Sequence, residues 1–211
     1  MQQLAAPKTR VDQAYEVILN AICAGSLRPG DRLKQHDIAE RLNMSRQPIT
    51  QALLVLKNQG FLRETGRRGL VVAPLEPGLF EAIYDFRSAV EPLAVELATR
   101  RLNPAAISAG RRLLARGNQL AKRGDIVGLA RVHADFHLFL YKRSGNSLIL
   151  NTMTLNWQHL RRCMSDVMND TSDGNWSEHE VIFELMVAGN AQGAAAEMRR
   201  HIVDSYARAK P

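Results

Sequence analysis

From Leu79 onward this chain carries helical patterning with no strand-like alternation, which restricts its larger part to an all-helical fold. The first apolar residues of this part recur at spacings of four and three, and this spacing predicts one buried stripe along a long helix. The stripe consists of Leu79, Ile83, Phe86, Val90, Leu93 and Leu97. Turn-forming pairs such as Gly145-Asn146 divide the rest into about six helices of 12 to 25 residues, which predicts a helical bundle.

The N-terminal part follows a different plan, with three short helical stretches and then a hairpin. Helices are predicted over residues 9–24, 37–42 and 45–58, and strand-like runs over residues 61–64 and 70–73. Three helices followed by a two-stranded hairpin is the order of elements in a winged helix-turn-helix.

Pro74, Pro77 and Gly78 mark the boundary between the two parts. A chain of 211 residues is long for one domain and sufficient for two. The sequence therefore predicts a mainly α protein, with a winged helix-turn-helix domain over residues 1–75 and an all-helical bundle over residues 76–211.

Composition and charge exclude several classes of protein. Apolar residues make up 45% of the chain, so a packed core is expected and disorder is not. We expect a cytoplasmic protein without disulfides, because there is no bilayer-length apolar run, no signal-peptide core at the N-terminus, and only two isolated cysteines, Cys23 and Cys163. The net charge is +7, and residues 1–74 hold 11 Lys and Arg against 6 Asp and Glu, which favours a polyanionic partner for the N-terminal part.

The third predicted helix carries the residues expected to read DNA. In a helix-turn-helix the second helix of the pair lies in the major groove, and its N-terminal residues reach the base edges. Ser45 is expected to cap this helix, and Pro48 is tolerated in its first turn. The readout candidates follow from that start, and they are Arg46, Gln47, Thr50 and Gln51, with Ser45 at the edge of the interface.

The hairpin tip is a candidate wing. Arg67 and Arg68 stand between Gly66 and Gly69, so the backbone can approach a groove closely while the two cations meet phosphates. The alternative interpretation is a small helical cap with a solvated basic loop. The order of helix, helix, helix and basic hairpin favours the wing.

Four segments of the N-terminal part match, in order and spacing, the GntR family of bacterial regulators, which this chain resembles. They are residues 27–33 (LRPGDRL), 38–42 (IAERL), 45–49 (SRQPI) and 66–72 (GRRGLVV). At two positions where the family usually carries arginine, this sequence has His36 and Thr50. The resemblance implies binding to double-stranded operator DNA, and the two departures leave the operator sequence open.

Several histidines of the C-terminal part could form a metal site. His133 and His137 are four residues apart and share a helix face, and His179 and His201 lie on two later predicted helices that could fold back toward them. Spacing alone also allows ordinary core or surface histidines, so both interpretations stay open on the residues alone.

A second resemblance concerns this C-terminal part. Residues 135–137 (DFH) with 144–146 (SGN), 177–182 (SEHEVI) and 198–202 (MRRHI) resemble the FadR subfamily of GntR regulators, whose C-terminal domain is called FCD and whose metal-binding members use one Asp and three His. The position of that Asp is His133 in this chain. The resemblance implies a site of four histidines, or of three with His133 unengaged. A site in which imidazole replaces the carboxylate ligand favours zinc, nickel, copper or cobalt over manganese, and zinc and nickel are the leading candidates.

In such domains the metal helps to hold a small organic acid, so the resemblance also implies a carboxylate effector. Arg87 is the candidate clamp for that carboxylate, and the competing interpretation is an ion pair with Glu91 one turn on. The aromatic residues Phe136, Phe139, Trp157 and Phe183 are expected in the core.

These expectations combine into a homodimeric regulator that binds a two-fold-symmetric operator, as a repressor of a metabolic operon, and is not an enzyme. One alternative is a metal-dependent hydrolase fused to a DNA-binding module, for which Asp135 would be the only nearby general base. Another is a ligand-responsive regulator without metal, whose histidines only form hydrogen bonds in the core.

Overall fold

The structure is a computed structural model that describes residues 8–66, 69–164 and 176–209. Contacts between Cα atoms divide the chain into two compact units that part between Pro77 and Gly78, with a short stretch from Arg161 assigned to the first unit. None of the helices formed by the described residues combines the length and the apolar composition of a membrane-spanning segment.

The first unit begins with three helices, α1 (Arg10–Cys23), α2 (Gln35–Arg41) and α3 (Arg46–Asn58). Thr9 and Asp12 form a capping box at the start of α1, which satisfies backbone N–H groups that have no partner inside the helix. α3 packs against both α1 and α2. The apolar faces of α1 and α3 form the core of this unit, which includes Ile18, Leu19, Ile49, Leu53 and Leu56.

Two strands follow, β1 (Leu62–Glu64) and β2 (Leu70–Val72), and they pair antiparallel with Leu62 opposite Val72. The chain turns between them at Gly66 and Gly69, which both have the positive φ that glycine adopts without strain. The order of three helices and a hairpin is confirmed. Arg67 and Arg68 lie outside the described residues.

The expected capping role of Ser45 is wrong. Ser45 occupies the N-cap position of α3 with an extended backbone, but its side chain makes no hydrogen bond to the helix N-terminus. A capping side chain bonds the N–H of the second or third helical residue, and the third residue here is Pro48, which has none.

The second unit contains six helices among its described residues, and their lengths run from 12 to 21 residues. They are α4 (Leu79–Thr99), α5 (Pro104–Lys122), α6 (Ile126–Ser144), α7 (Ser147–Met164), α8 (Trp176–Val187) and α9 (Ala191–Ala209). α4 packs against α6, α8 and α9, and α5 packs against α6 and α8. The predicted all-helical architecture is therefore confirmed.

The buried stripe predicted for α4 is only partly correct. Ile83 is buried, but Phe86 and Leu93 are 39% and 46% exposed. The inward face is rotated toward Arg87 and Glu91, which are both buried, followed by Ala94, Val95 and Ala98. Apolar periodicity misplaced this face because two of its central residues are charged.

Candidate metal centre and nucleic-acid interface

The five residues predicted at the leading end of α3 all lie on its exposed side, whereas Pro48 and Ile49 between them are buried. The five are Ser45, Arg46, Gln47, Thr50 and Gln51. This division follows from helical periodicity, since the inner face of the helix packs against α1 and α2.

His36 and Thr50, the two departures from the family pattern, both contact the region around Arg46. The Arg46 Nη2 atom lies 3.5 Å from Nδ1 of His36, and the Thr50 hydroxyl donates to the Arg46 carbonyl oxygen at 2.9 Å. The same hydroxyl lies 3.2 Å from the Gln35 side-chain oxygen. The four side chains form one exposed polar cluster between α2 and α3, where the sequence predicts the DNA-reading surface.

In the second unit, four histidines from three helices converge. His133 and His137 lie one turn apart on α6, His179 is on α8, and His201 is on α9. Each offers a ring nitrogen, and these atoms all lie within 4.8 Å of one another. His137, His179 and His201 are buried, and His133 is partly exposed. The structure thus brings together all four predicted ligands, although no residue of the set is close in sequence to all others.

Two carboxylates orient two of these imidazoles. Glu91 Oε2 lies 2.6 Å from Nδ1 of His137, and Glu178 Oε2 lies 2.6 Å from Nδ1 of His201. An ionised carboxylate only accepts, so each Nδ1 donates, and in a neutral ring the Nε2 atom then keeps its lone pair. Carboxylate–histidine pairs of this kind fix the tautomer of metal-ligating histidines.

Three ring nitrogens of the cluster lack hydrogen-bond partners among the described residues, whereas Nε2 of His137 lies 3.1 Å from Nε2 of His133. Nε2 of His201 and both ring nitrogens of His179 are buried and unpartnered among the described residues. A buried polar atom without a partner usually costs about 1 to 3 kcal/mol. A bound cation would supply a partner for Nε2 of His201 and for one of the two ring nitrogens of His179.

Burial favours the neutral form of three of the four histidines. Desolvation lowers the pKa of His137 to about 4, and it lowers the pKa of His133 and His179 well below the ordinary histidine value. Although burial opposes ionisation of Glu91, the neighbouring Arg87 and His137 hold the pKa of that carboxyl below its usual range. The site therefore combines neutral imidazoles, the protonation state that metals require, with an ionised carboxylate behind them.

The donor set fits a divalent transition metal. Neutral imidazole nitrogens are ligands for zinc, nickel, copper and cobalt, and the second carboxylate layer is typical of such sites. Asp135, the base considered for a hydrolase, is exposed and is not among the four residues whose ligand atoms converge.

Arg87 lies beside this cluster and is fully enclosed. Its Nε donates to Glu91 Oε1 at 2.6 Å, and its guanidinium carbon lies 4.9 Å from the Tyr84 ring centre and 4.8 Å from that of Trp157. Its Nη2 atom is buried, and no described residue provides a hydrogen-bond partner for it. The expected ion pair with Glu91 is therefore confirmed, and the role of Arg87 as a carboxylate clamp stays a prediction.

Both tryptophans of the chain flank the histidines. Trp157 lies 5.1 Å from His137 between ring centres and donates to the Tyr141 hydroxyl at 2.8 Å, while Trp176 stacks on His179 at 4.6 Å. Phe136 and Phe183 are in the core as expected, and Phe139 and Trp157 are partly buried.

Sequence reasoning missed three parts of the site. It considered Glu91 only as a partner for Arg87, it did not single out Glu178 as a residue that orients His201, and it overlooked Trp176. The acidic residues carried a usable signal, since Glu91 is one turn from Arg87 and Glu178 precedes His179. Nothing in the sequence distinguishes Trp176, which contacts His179, from an ordinary aromatic residue of the core.

Comparisons with known proteins match both parts of the chain. Residues 10–72 match the model of the gntR family of bacterial regulatory proteins, and residues 82–204 match the model of the FCD domain. The second match alone spans more than half of the chain.

Curated relatives and solved structures agree with these matches. The chain is 26% identical over 176 residues to the HTH-type transcriptional regulator McbR of Escherichia coli K12, covering 83% of this chain and 80% of McbR. It is 24% identical over 192 residues to the HTH-type regulator YdhC of Bacillus subtilis 168, covering 90% of this chain and 86% of YdhC.

The fold agrees as well, since the structure of E. coli McbR/YncC superposes with a TM-score of 0.81 at 21% identity, over 95% of this chain and 97% of that one. The relatives and families are transcriptional regulators. The chain belongs to the GntR family of bacterial DNA-binding transcriptional regulators, with an FCD domain following its winged helix-turn-helix.

Proposed function

We propose that this regulator is a homodimeric repressor whose affinity for its operator is controlled by a small carboxylate that binds at a metal site in the FCD domain. The observation that carries the proposal is the convergence of four histidine nitrogens beside a buried arginine, one nitrogen of which has no hydrogen-bond partner in the part of the chain that the structure describes. An enclosed cluster with unsatisfied donors and acceptors favours a ligand site over ordinary core packing.

His133, His137, His179 and His201 would hold the ion. When bound, the metal would supply positive charge that attracts an oxyanion. Arg87 would donate from Nη2 to one carboxylate oxygen of the effector, while its Nε stays on Glu91. The guanidinium carbon lies 4.9 Å from the Tyr84 ring centre and 4.8 Å from that of Trp157, and the side chain is buried from water.

In the DNA-binding domain, Arg46, Gln47, Thr50 and Gln51 would contact base edges, and Ser45 would lie at the margin. We further propose that Gly66 and Gly69 let the wing approach the DNA backbone closely. Arg67 and Arg68 would then contact the DNA phosphates. A two-fold dimer would match two half-sites in operator DNA in the bacterial cytoplasm.

Control by the effector requires only that it bind one dimer arrangement better than another. A coupling of about 1 to 3 kcal/mol would change operator affinity about 5- to 150-fold. We place the boundary between the DNA-binding domain and the FCD domain, across which this coupling would act, near residue 75.

The test compares untagged wild-type protein with His137→Ala and with His159→Ala, a histidine of the same domain outside the cluster. We expect about one zinc or nickel per chain in the wild type and in His159→Ala, and loss of metal in His137→Ala. Operator binding should respond to added organic acids only in the two proteins that hold metal. A wild type that takes up less than about 0.2 metal per chain, even with zinc or nickel added, would favour a metal-free regulator.

A further inference from the structure

Leu54 is an apolar residue on the exposed side of α3. The described residues of the first unit include three exposed large apolar side chains, and Leu54 is the most exposed of them at 53%. The other two are Val17 on α1, at 49%, and Val55 on α3, at 39%. Because Leu53 and Leu56 of the same helix are fully buried, α3 has its core contacts without Leu54.

Leu54 also lies among the residues expected to read DNA. Three of those residues precede it by seven, four and three positions, which are the spacings that place side chains on one face of a helix. They are Gln47, Thr50 and Gln51, and all three are exposed. Leu54 therefore lies in the middle of the face of α3 that points away from α1 and α2.

Thr50 adds a second apolar group to this face. Its hydroxyl donates to the Arg46 carbonyl oxygen at 2.9 Å and lies 3.2 Å from Oε1 of Gln35. A hydroxyl carries one proton, and here that proton is already used inside the protein. The methyl group of Thr50, one helical turn before Leu54, is then available for an apolar contact.

The major groove offers such side chains one kind of partner. Among the groups that the four base pairs present there, the C5 methyl group of thymine is the apolar one, and the others donate or accept hydrogen bonds. The amides of Gln47 and Gln51 suit the hydrogen-bonding groups. The side chain of Leu54 has no polar atom, so its chemistry matches the thymine methyl group.

We propose that Leu54, together with the methyl group of Thr50, contacts the C5 methyl group of a thymine in the operator and so determines part of the sequence specificity. The inference rests on the proposed role of α3 in the DNA interface. It adds an apolar contact to the polar ones, and this contact favours thymine at one position of the half-site. Because an apolar contact displaces no counter-ions from DNA, it contributes nothing to the salt dependence of binding.

The experiment uses full-length protein and the duplex that the wild type enriches most strongly from a random-sequence library. Each thymine of that duplex is replaced singly by deoxyuridine, which removes the C5 methyl group and keeps every hydrogen-bonding group. Burial of one such group is worth about fourfold in affinity, so we expect one substitution per half-site to weaken wild-type binding about fourfold. Leu54→Ala should bind the unmodified duplex at least about fourfold more weakly, respond no further to deoxyuridine at that position, and keep the wild-type salt dependence.

Val17→Ala is the matched control, because that side chain is almost as exposed as Leu54 and lies on another helix. It should bind every duplex as the wild type does. A wild type that no deoxyuridine substitution weakens would overturn the proposal, as would a Leu54→Ala protein that responds to the same substitution as strongly as the wild type. If Arg46→Ala and Leu54→Ala both bind every duplex with wild-type affinity, the proposed placement of α3 in the major groove is refuted instead.

Discussion

Nδ1 of His137 lies 2.6 Å from Oε2 of Glu91, and the other oxygen of the same carboxylate accepts from Nε of Arg87 at 2.6 Å. One buried side chain on α4 therefore connects a candidate metal ligand on α6 with the candidate effector clamp. Both oxygens of Glu91 are therefore bonded. A shift of His137 or of Arg87 must change the position or the charge environment of the other.

Replacing Glu91 with Gln should lower Ni²⁺ or Zn²⁺ affinity about 10- to 100-fold, because an amide orients His137 less well and does not strengthen it as a ligand. Leaving Arg87 unpaired should also cost about 3 to 5 kcal/mol of unfolding free energy. Isothermal titration and urea unfolding measure the two effects.

The matched control for that variant is Glu96→Gln, on the same helix, where the side chain is 35% exposed and pairs with Arg100. It should change the unfolding free energy by less than about 0.5 kcal/mol. Should the Glu91→Gln protein not fold, Glu178→Gln, which removes the partner of His201, provides the same comparison of metal affinity. Unchanged affinity in a folded variant would mean that the carboxylates do not position the ligands.

Replacing Gly117 with Ala should weaken metal binding through Trp176. A Cβ atom at Gly117 would lie 2.0 Å from the indole ring of Trp176, which stacks on His179. Overpacking of this kind costs about 1 to 3 kcal/mol. Displacement of the indole should shift its fluorescence and lower Ni²⁺ affinity by moving His179.

Gly110 on the same helix supplies the control, since a Cβ there would meet the ring of Phe183 at 2.2 Å and not Trp176. Gly110→Ala should destabilise the domain to a similar extent. If both variants lose metal affinity equally, the effect of Gly117 is a general loss of packing and the specific link to His179 is refuted.

Replacing Arg46 with Ala should weaken operator binding by about 1 to 3 kcal/mol and relax preference at one base pair. Arg46 is exposed at the leading end of α3, within reach of His36. Arg68→Ala should instead weaken binding to all sequences alike and flatten the salt dependence by about one unit of slope. Gel-shift titrations at several salt concentrations separate the two, and unchanged binding in both variants would place the interface elsewhere.

Acid should destabilise the metal-free protein. Burial lowers the pKa of His137 to about 4 from an ordinary 6.5, so between these pH values the unfolded chain takes up a proton that the folded chain does not. Stability is therefore complete above about pH 6.5 and is lost as pH falls toward 4, by up to about 1.4 kcal/mol per pH unit for each such histidine. Urea midpoints at pH 7 and pH 5.5 measure this loss.

The pKa of buried His179 is lowered in the same direction, whereas His36 is exposed. His179→Leu should thus show a shallower loss of stability with acid, and His36→Ala should keep the wild-type dependence. Equal pH dependence in all three proteins would show that the cluster histidines are not held neutral.

Local pattern predicted the elements well where a single physical rule decides them. The three N-terminal helices, the hairpin and the six-helix bundle follow from periodicity and from glycine and proline positions. Prediction from local pattern failed at two places, where a second residue imposed a requirement that the pattern does not include. Ser45 has capping chemistry, but Pro48 removes the N–H it would bond, and α4 has an apolar stripe, but Arg87 and Glu91 take the buried face.

Motif order and residue spacing can be seen in one dimension, and they were enough to predict the two-part architecture and the family, whose resemblance in turn implied the four histidines as ligands. Helix packing brings these histidines together, places Glu91 and Glu178 behind two of them, and leaves Nη2 of Arg87 without a partner among the described residues. Those relations join α4, α6, α8 and α9, and the distance between side chains on different helices depends on packing.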